Sequence, residues 1–309
     1  MRTFLVVNPK SASGETGRRW PEIHAEVLRT VGEADHAFTE RPMHAADLTA
    51  SALKQGYRRI VAIGGDGTVN EVVNGFFRDP GGVPPDARLA LIPRGTGGDF
   101  RRTFGIETGV REACSRLSDA REKECVRPLD VGRVRFTTPE GGSAERYFVN
   151  VASFGVSGRV DRAVNASSKA LGGKVTFFLA SVKTLVGWRD QHVRIRADGG
   201  TEEALSITTL AVANAQYFGG GMRVAPEADP SDGLLDVTVW SGYGLADFAL
   251  KSRSVYDGSH VRWKGTRTFR CRTLEATSDE EVLLDVDGEQ PGRLPARFEV
   301  LPGALRLQA

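Results

Sequence analysis

Cysteine is scarce. The chain has three in 309 residues, Cys114, Cys125 and Cys271, which cannot all pair with one another and never fall in a CxxC spacing. A disulfide framework or a zinc site is therefore not expected, and a reducing, cytoplasmic compartment is. Long apolar runs are missing too. No stretch approaches the roughly 18 apolar residues of a membrane-crossing helix. The apolar run in MRTFLVVNPK is too short for a secretory signal and is followed by no small-residue cleavage site. Neither charge is in excess: 41 Lys and Arg stand against 39 Asp and Glu, a formal net charge of +2, where a nucleic-acid partner calls for a strongly basic face. The five histidines are scattered without ligand spacing, and there is no internal repeat or low-complexity tract. The pattern GxxxxGK followed by Ser or Thr is absent, as is GxGxxG at the first strand. Both absences argue against P-loop nucleotidases and dinucleotide-binding dehydrogenases.

What remains is the composition of a soluble globular enzyme, 40% apolar and 26% charged, with a length that suits two domains. Strand and helix signals alternate in the first part. Thr3–Val7 reads as a short buried strand, Trp20–Val31 as a helix, and 59–63 and 88–92 as further strands. Between the last two, Val69, Val72, Val73, Phe76 and Phe77 recur at the spacing of one helix face. This alternation predicts an α/β domain over 1–126 with a mostly parallel sheet covered on both faces. From residue 127 the texture changes. RYFVNVASF, HVRIRADGG, ALSITTLAVANA, LLDVTVWS, RTFRCRTLEA and EVLLDVDGE are strand-like runs with turn signals between them. Residues 127–295 thus read as an antiparallel β-sandwich. A helix interrupts it, with Val175, Phe178, Leu179, Val182, Leu185 and Val186 on one face. The tail ARFEVLPGALRLQ reads as a hairpin turning at Pro302-Gly303.

Three polar, glycine-containing loops follow strands of the first domain: NPKSASG at 8–14, GGDGT at 64–68 and RGTGGDF at 94–100. Glycines at a strand-to-helix junction permit positive φ and close approach of a ligand, and the N–H groups of the helix start favour an anion. Three such loops at one sheet edge point to phosphate. Asp66 lies inside the second turn, where its carboxylate would repel phosphates unless a cation stood between them. A Mg–nucleotide site answers that requirement. Thr68, Asn70 and Glu71 can add polar contacts, while Thr68 with Glu71 equally fits a capping box of purely structural purpose.

GGDGTVNEVVNG, with NPKSASG before it, PRGTGGDF after it, and GGGMRVAPEADPSDGLLDV and DVDGEQ in the second half, resembles the diacylglycerol kinase catalytic family, which includes bacterial lipid kinases, sphingosine kinases and ceramide kinases. The resemblance runs nearly the whole length. It implies an ATP- and Mg-dependent kinase acting on a lipid hydroxyl, diacylglycerol first, with a sphingoid or other lipid alcohol or a soluble nucleotide or sugar as alternatives. A non-catalytic binding protein is the rival reading. The resemblance further implies a cytoplasmic protein that visits the membrane surface during turnover, with a homodimer left open, and a tail, 296–309, that returns to the first domain.

Carried over residue by residue, the resemblance gives ATP to Asn8, Pro9, Thr39, Gly64, Gly65, Asp66, Gly67, Thr68, Asn70, Glu71, Gly95, Thr96 and Gly97. Gly98 stands where the family has an asparagine, so a side-chain amide is missing, and Arg101 or Arg102 can offset phosphate charge. Glu289 is the expected base for the acceptor hydroxyl, with Asp287 as its neighbour or metal-water ligand and Asp66 as the rival base. Asp-Gly is also a common hairpin pair. Asp232, through its side chain, and Asp229 and Leu234, through their carbonyls, would hold a structural Mg2+. Arg162, Lys169, Lys174 and Lys183 could meet anionic headgroups.

Overall fold

The computed structural model describes residues 1–95, 97–118, 120, 122–165 and 187–309. The apolar face expected at 175–186, Thr96, Lys169, Lys174, Lys183 and the side chain of Arg162 lie outside that description. Two units are distinguished: Met1–Leu129 with Gly303–Ala309, and Asp130–Pro302. Among the described residues no helix is long and apolar enough to cross a membrane.

The first unit is built on β1 (Thr3–Val7), β2 (Asp35–Phe38), β3 (Arg59–Gly64) and β4 (Arg88–Pro93), all parallel, in the order β2-β1-β3-β4. Every residue of β3 and β4 is buried, as an interior strand covered on both faces requires. Helix α1 (Trp20–Val31) has a proline in its first turn and Gly32 at φ 80° just past its end, the usual start and stop. Its Ile23 and Val27 pack on Leu5, Val7, Val61, Ile63, Ala90 and Ile92. Helices α2 (His44–Lys54) and α3 (Asp66–Phe76) meet at Gly75, where a Cβ would lie 2.5 Å from the Thr49 Cβ. Val69, Val72, Val73 and Phe76 of α3 are buried as their spacing predicts, while Phe77 falls just past the helix end.

The second unit is an antiparallel sandwich. One sheet runs in the order β12 (Thr266–Cys271), β11 (Leu235–Trp240), β10 (Thr209–Ala213), β7 (Val151–Gly155), β14 (Leu284–Val286). The other carries β9 (Glu203–Ile207), β8 (Gln191–Ala197), β13 (Thr273–Thr277) and the first part of β15 (Arg293–Gln308). The antiparallel pair β5 (Val126–Thr137) and β6 (Ser143–Phe148) belongs with this second sheet. Phe148, Phe154, Leu210, Val237, Leu274 and Phe298 are fully buried in its core.

Two expectations need correction. RYFVNVASF, ALSITTLAVANA and RTFRCRTLEA each form two strands rather than one. At each break the chain leaves one sheet for the other, β6 to β7, β9 to β10 and β12 to β13, and an apolar run that crosses a sandwich corner shows no interruption in its pattern. The tail is not a hairpin either. β15 runs through Pro302-Gly303, pairing at Ala296–Glu299 with β13 and at Leu307 and Gln308 with β4. Each half finds its backbone partners on a different strand, so nothing draws the segment back on itself, and Gly303 takes φ 55° without ending the strand.

Candidate functional site

In the first unit the parallel strands send their following loops to one sheet edge. The order β2-β1-β3-β4 places the reversal of winding between β1 and β3, the position where open α/β sheets bind ligands. Asn8 sits there. Its backbone N–H donates to the Ile63 carbonyl at 2.9 Å, and its side-chain amide donates to Thr68 Oγ1 at 3.1 Å. One side chain thus joins the loop after β1 to the first turn of α3. Pro9 accepts the Gly17 N–H at 3.1 Å, and the Thr39 N–H donates to the Val7 carbonyl at 2.8 Å, so Thr39 stands at the same edge.

The two glycine turns pack on each other. A Cβ at Gly64 would lie 2.3 Å from Thr68 Oγ1, and one at Gly95 would lie 2.6 Å from the Cα of Gly65. Gly67, by contrast, is exposed with nothing within 4 Å of its would-be Cβ. Gly98 has φ 69°, a left-handed conformation that asparagine also tolerates, so the exchange with the family's asparagine keeps the backbone. The space that side chain would occupy is held by Arg101, whose Nε is 2.5 Å from a Cβ placed on Gly98. Arg102 donates to the Gly97 carbonyl at 2.5 Å and to Asp99 Oδ1 at 3.0 Å.

The carboxylate in the tight turn has a structural partner. Asp66 Oδ2 accepts the Gly98 N–H at 2.7 Å and Oδ1 accepts the Phe100 N–H at 3.1 Å. Asp66 therefore ties the second glycine turn to the first. Each of its oxygens retains further acceptor capacity, which fits a Mg2+ beside phosphate oxygens.

The capping box is overturned. Helix α3 begins at Asp66 with Gly65 as its N-cap, so Thr68 lies inside the first turn, and its hydroxyl accepts from Asn8. Glu71 Oε2 instead accepts the Ala45 N–H at 3.0 Å, near the start of α2. A negative charge is favourable at that helix end. Asn70, buried, has its carbonyl and its side-chain oxygen bonded by Asn74 at 2.9 and 3.2 Å.

In the second unit the DGE element is a tight turn. Val286 and Glu289 bridge, and Asp287 and Gly288 have φ 50° and 89°, the positive pair expected of a type I′ hairpin. Turn and function are not alternatives here. The Asp287 carboxylate accepts three backbone N–H groups at 3.0 Å, from Val149 on Oδ2 and from Asn150 and Val151 on Oδ1. It anchors the turn to the corner between β6 and β7. Glu289 is exposed. Asp285 opens the DVDGEQ stretch, where the sequence assigns roles only to Asp287 and Glu289. It is buried and accepts the Ser153 hydroxyl at 3.0 Å and the Gly288 N–H at 2.8 Å, and the Ser153 and Ser157 hydroxyls lie 2.8 Å apart.

In the loop expected to hold a structural Mg2+, Asp232 Oδ1 accepts the Leu234 N–H at 3.0 Å, and Asp229 Oδ1 accepts from the Ser231 N–H and hydroxyl at 3.0 and 2.6 Å. The Asp229 carbonyl accepts the Asp232 N–H at 3.3 Å. The Arg270 guanidinium lies 3.8 Å from Asp232 Oδ2 and bonds Asp236 at 3.1 Å. A divalent ion would compete with Arg270 for Asp232. Burial pushes the Asp236 carboxyl up, against the pull of the same arginine. Among the described residues no group of three or more His, Cys, Asp or Glu side chains is arranged to hold a metal.

Known proteins resemble this chain along its length. Residues 2–134 match the diacylglycerol kinase catalytic domain, and residues 150–309 match the YegS C-terminal NAD kinase beta sandwich-like domain. A protein named diacylglycerol kinase from Bacillus subtilis (strain 168) is 29% identical over 96% of this chain and 92% of its own. One of the same name from Mycobacterium tuberculosis is 28% identical over 99% and 94%. A solved diacylglycerol kinase structure from Bacillus anthracis str. Sterne superposes with a TM-score of 0.76 at 25% identity, covering 99% of this chain and 96% of that one.

Proposed function

Since the chain belongs to the diacylglycerol kinase catalytic-domain family, we propose that it transfers the γ-phosphate of ATP to a lipid hydroxyl, with diacylglycerol as the acceptor its named relatives favour. The observation that carries the nucleotide half is the pair of bonds from Asp66 to the Gly98 and Phe100 N–H groups. They hold two glycine turns as one cradle at the β1–β3 reversal. Asn8 and Thr68 fix the loop beside it. Mg2+ carried in with the nucleotide supplies charge neutralisation on the phosphate oxygens.

Glu289 is the better base. It is exposed on a turn braced by Asp287 and Asp285, and Asp66 has the separate task of joining the two glycine turns through the Gly98 and Phe100 N–H groups. The acceptor oxygen bonds to the γ-phosphorus, the bond to the β–γ bridging oxygen breaks, ADP leaves, and the hydroxyl proton passes to Glu289. Asp287 contributes by fixing the turn. A lipid acceptor brings the protein to a membrane surface during turnover.

The test is transfer of label from γ-labelled ATP with Mg2+ to mixed vesicles holding diacylglycerol, monoacylglycerol, sphingosine or ceramide. Label in one lipid that disappears in Glu289→Ala establishes the reading and names the acceptor. Label in none of them, with ATP still bound, points to a soluble acceptor.

A further inference from the structure

The PRGTGGDF loop holds a second charged group that the glycine pattern does not account for. The Arg94 N–H donates to the Gly64 carbonyl at 2.7 Å, and the next residue, Gly95, packs on Gly65. The Arg94 backbone is thereby pinned where the two glycine turns meet, at the start of α3. Its side chain is only 11% exposed. Nε and Nη2 are both out of solvent, and neither has a hydrogen-bond acceptor among the described residues. A guanidinium stays charged at any pH a protein survives, and burying its donors unpaired is costly.

The counter-charge present is Glu15, whose Oε1 lies 3.3 Å from Arg94 Nη2 without the alignment of a hydrogen bond. That carboxylate is 44% exposed and is shared with Arg19 at 3.4 Å. A hydrogen bond from Arg19, the Arg94 charge and the side-chain contact with Arg94 hold its carboxyl below the usual range. An exposed, shared ion pair of this kind is weak, so Glu15 neutralises Arg94 without satisfying it. A planar fork of donors is satisfied by paired oxygens of a phosphate. The loop around Arg94 is the one read above as a phosphate cradle.

We infer that Arg94 binds the phosphates of the nucleotide, that Glu15 holds it in reserve, and that an arriving triphosphate takes the guanidinium from Glu15. The inference rests on the nucleotide reading of the first unit and adds to it a residue that discriminates a charged nucleotide from a neutral nucleoside. Neither residue touches the acceptor chemistry, so binding alone tests it.

The experiment is calorimetric titration of the full chain with ATP and with adenosine, at fixed Mg2+ and salt, for the unmodified protein, Arg94→Met and Glu15→Gln. Arg94→Met keeps the alkyl volume and leaves behind only the half-exposed Glu15, so the fold is retained. It is expected to weaken ATP by about 10- to 100-fold, the worth of one or two charge-assisted bonds, and to leave adenosine unchanged. Glu15→Gln is expected to bind ATP more tightly, with adenosine unchanged. ATP affinity in Arg94→Met equal to that of the unmodified protein overturns the role of Arg94. An equal loss for ATP and adenosine overturns it too, making Arg94 a prop of the loop. Weaker ATP binding in Glu15→Gln overturns the reserve. Failure of the unmodified protein to bind ATP removes the nucleotide reading itself, and this inference with it.

Discussion

Gly65 and Gly95 meet backbone to backbone: a Cβ on Gly95 would sit 2.6 Å from the Cα of Gly65. The two glycine turns are thus shaped by each other before any ligand enters. Gly95→Ala forces them apart and should cost about 1–3 kcal/mol, seen as a lowered melting temperature together with lost ATP binding. Gly67 has open space around its would-be Cβ. Gly67→Ala should therefore stay within about 0.5 kcal/mol of the unmodified stability, and any loss of ATP affinity there would report ligand approach alone. Thermal melts and ATP titrations of the two variants separate packing from binding. Equal melting temperatures would deny the backbone contact.

The bonds from Asp66 make a second expectation. Asp66→Asn keeps one acceptor oxygen but turns an NH2 toward either Gly98 or Phe100, leaving one N–H unpaired at about 1–3 kcal/mol. The second glycine turn should loosen while the core stays intact. Hydrogen exchange should quicken at the Gly98 and Phe100 amides and remain slow at Val61 and Ile63 in β3. Unchanged exchange at Gly98 and Phe100 would show that the turn holds itself.

Asp287 and Glu289 are two residues apart and should fail in opposite ways. Asp287 holds three backbone N–H groups, so Asp287→Asn should destabilise by roughly 3 kcal/mol and lower activity only as far as the turn is lost. Glu289 is exposed. Glu289→Gln should melt within about 0.5 kcal/mol of the unmodified protein yet lose about 100- to 10,000-fold in kcat, the range for removing a general base. A Glu289→Gln enzyme with full kcat would return the role of base to Asp66.

Much of this was open to sequence reasoning, and the rest was closed for identifiable reasons. The unbroken apolar run of β3 and the helix face of Val69, Val72, Val73 and Phe76 are local signals, and each lies where its pattern points. The work done by the carboxylates is not local. Asp66 bonds residues 32 and 34 positions on, Glu71 a residue 26 positions back, and Asp287 residues 136 to 138 positions back. No spacing rule links such partners. A carboxylate between glycines reads as metal or phosphate chemistry because that is what the local pattern contains, while its backbone partners come from the fold. The tail misled in the same way: Pro302-Gly303 is a turn signal only where the flanking residues lack better partners, and here Phe298 lies opposite Leu274 and Leu307 opposite Leu89.

The last expectation concerns acid. His260 in the second unit is fully buried, its ring stacked on Trp240 at 5.4 Å, with Nδ1 3.3 Å from the Ser254 carbonyl and Nε2 3.2 Å from the Val224 carbonyl. Burial lowers its pKa below the ordinary 6.5, against the opposing pull of both carbonyls and Asp257. As pH falls through about 6.5, the unfolded chain takes up a proton that the folded one refuses. The unfolded state then binds more protons, and stability declines with falling pH until the lowered folded pKa is passed. One such group contributes at most about 1.4 kcal/mol per pH unit. His36 in the first unit, lowered by burial and by His24, adds a separate share. His260→Gln removes the titration at the cost of some packing. It should lower stability at pH 7.5 but shallow the decline between pH 6.5 and 5, as read from urea unfolding at several pH values. A decline as steep in the variant as in the unmodified protein would assign the acid sensitivity to other groups.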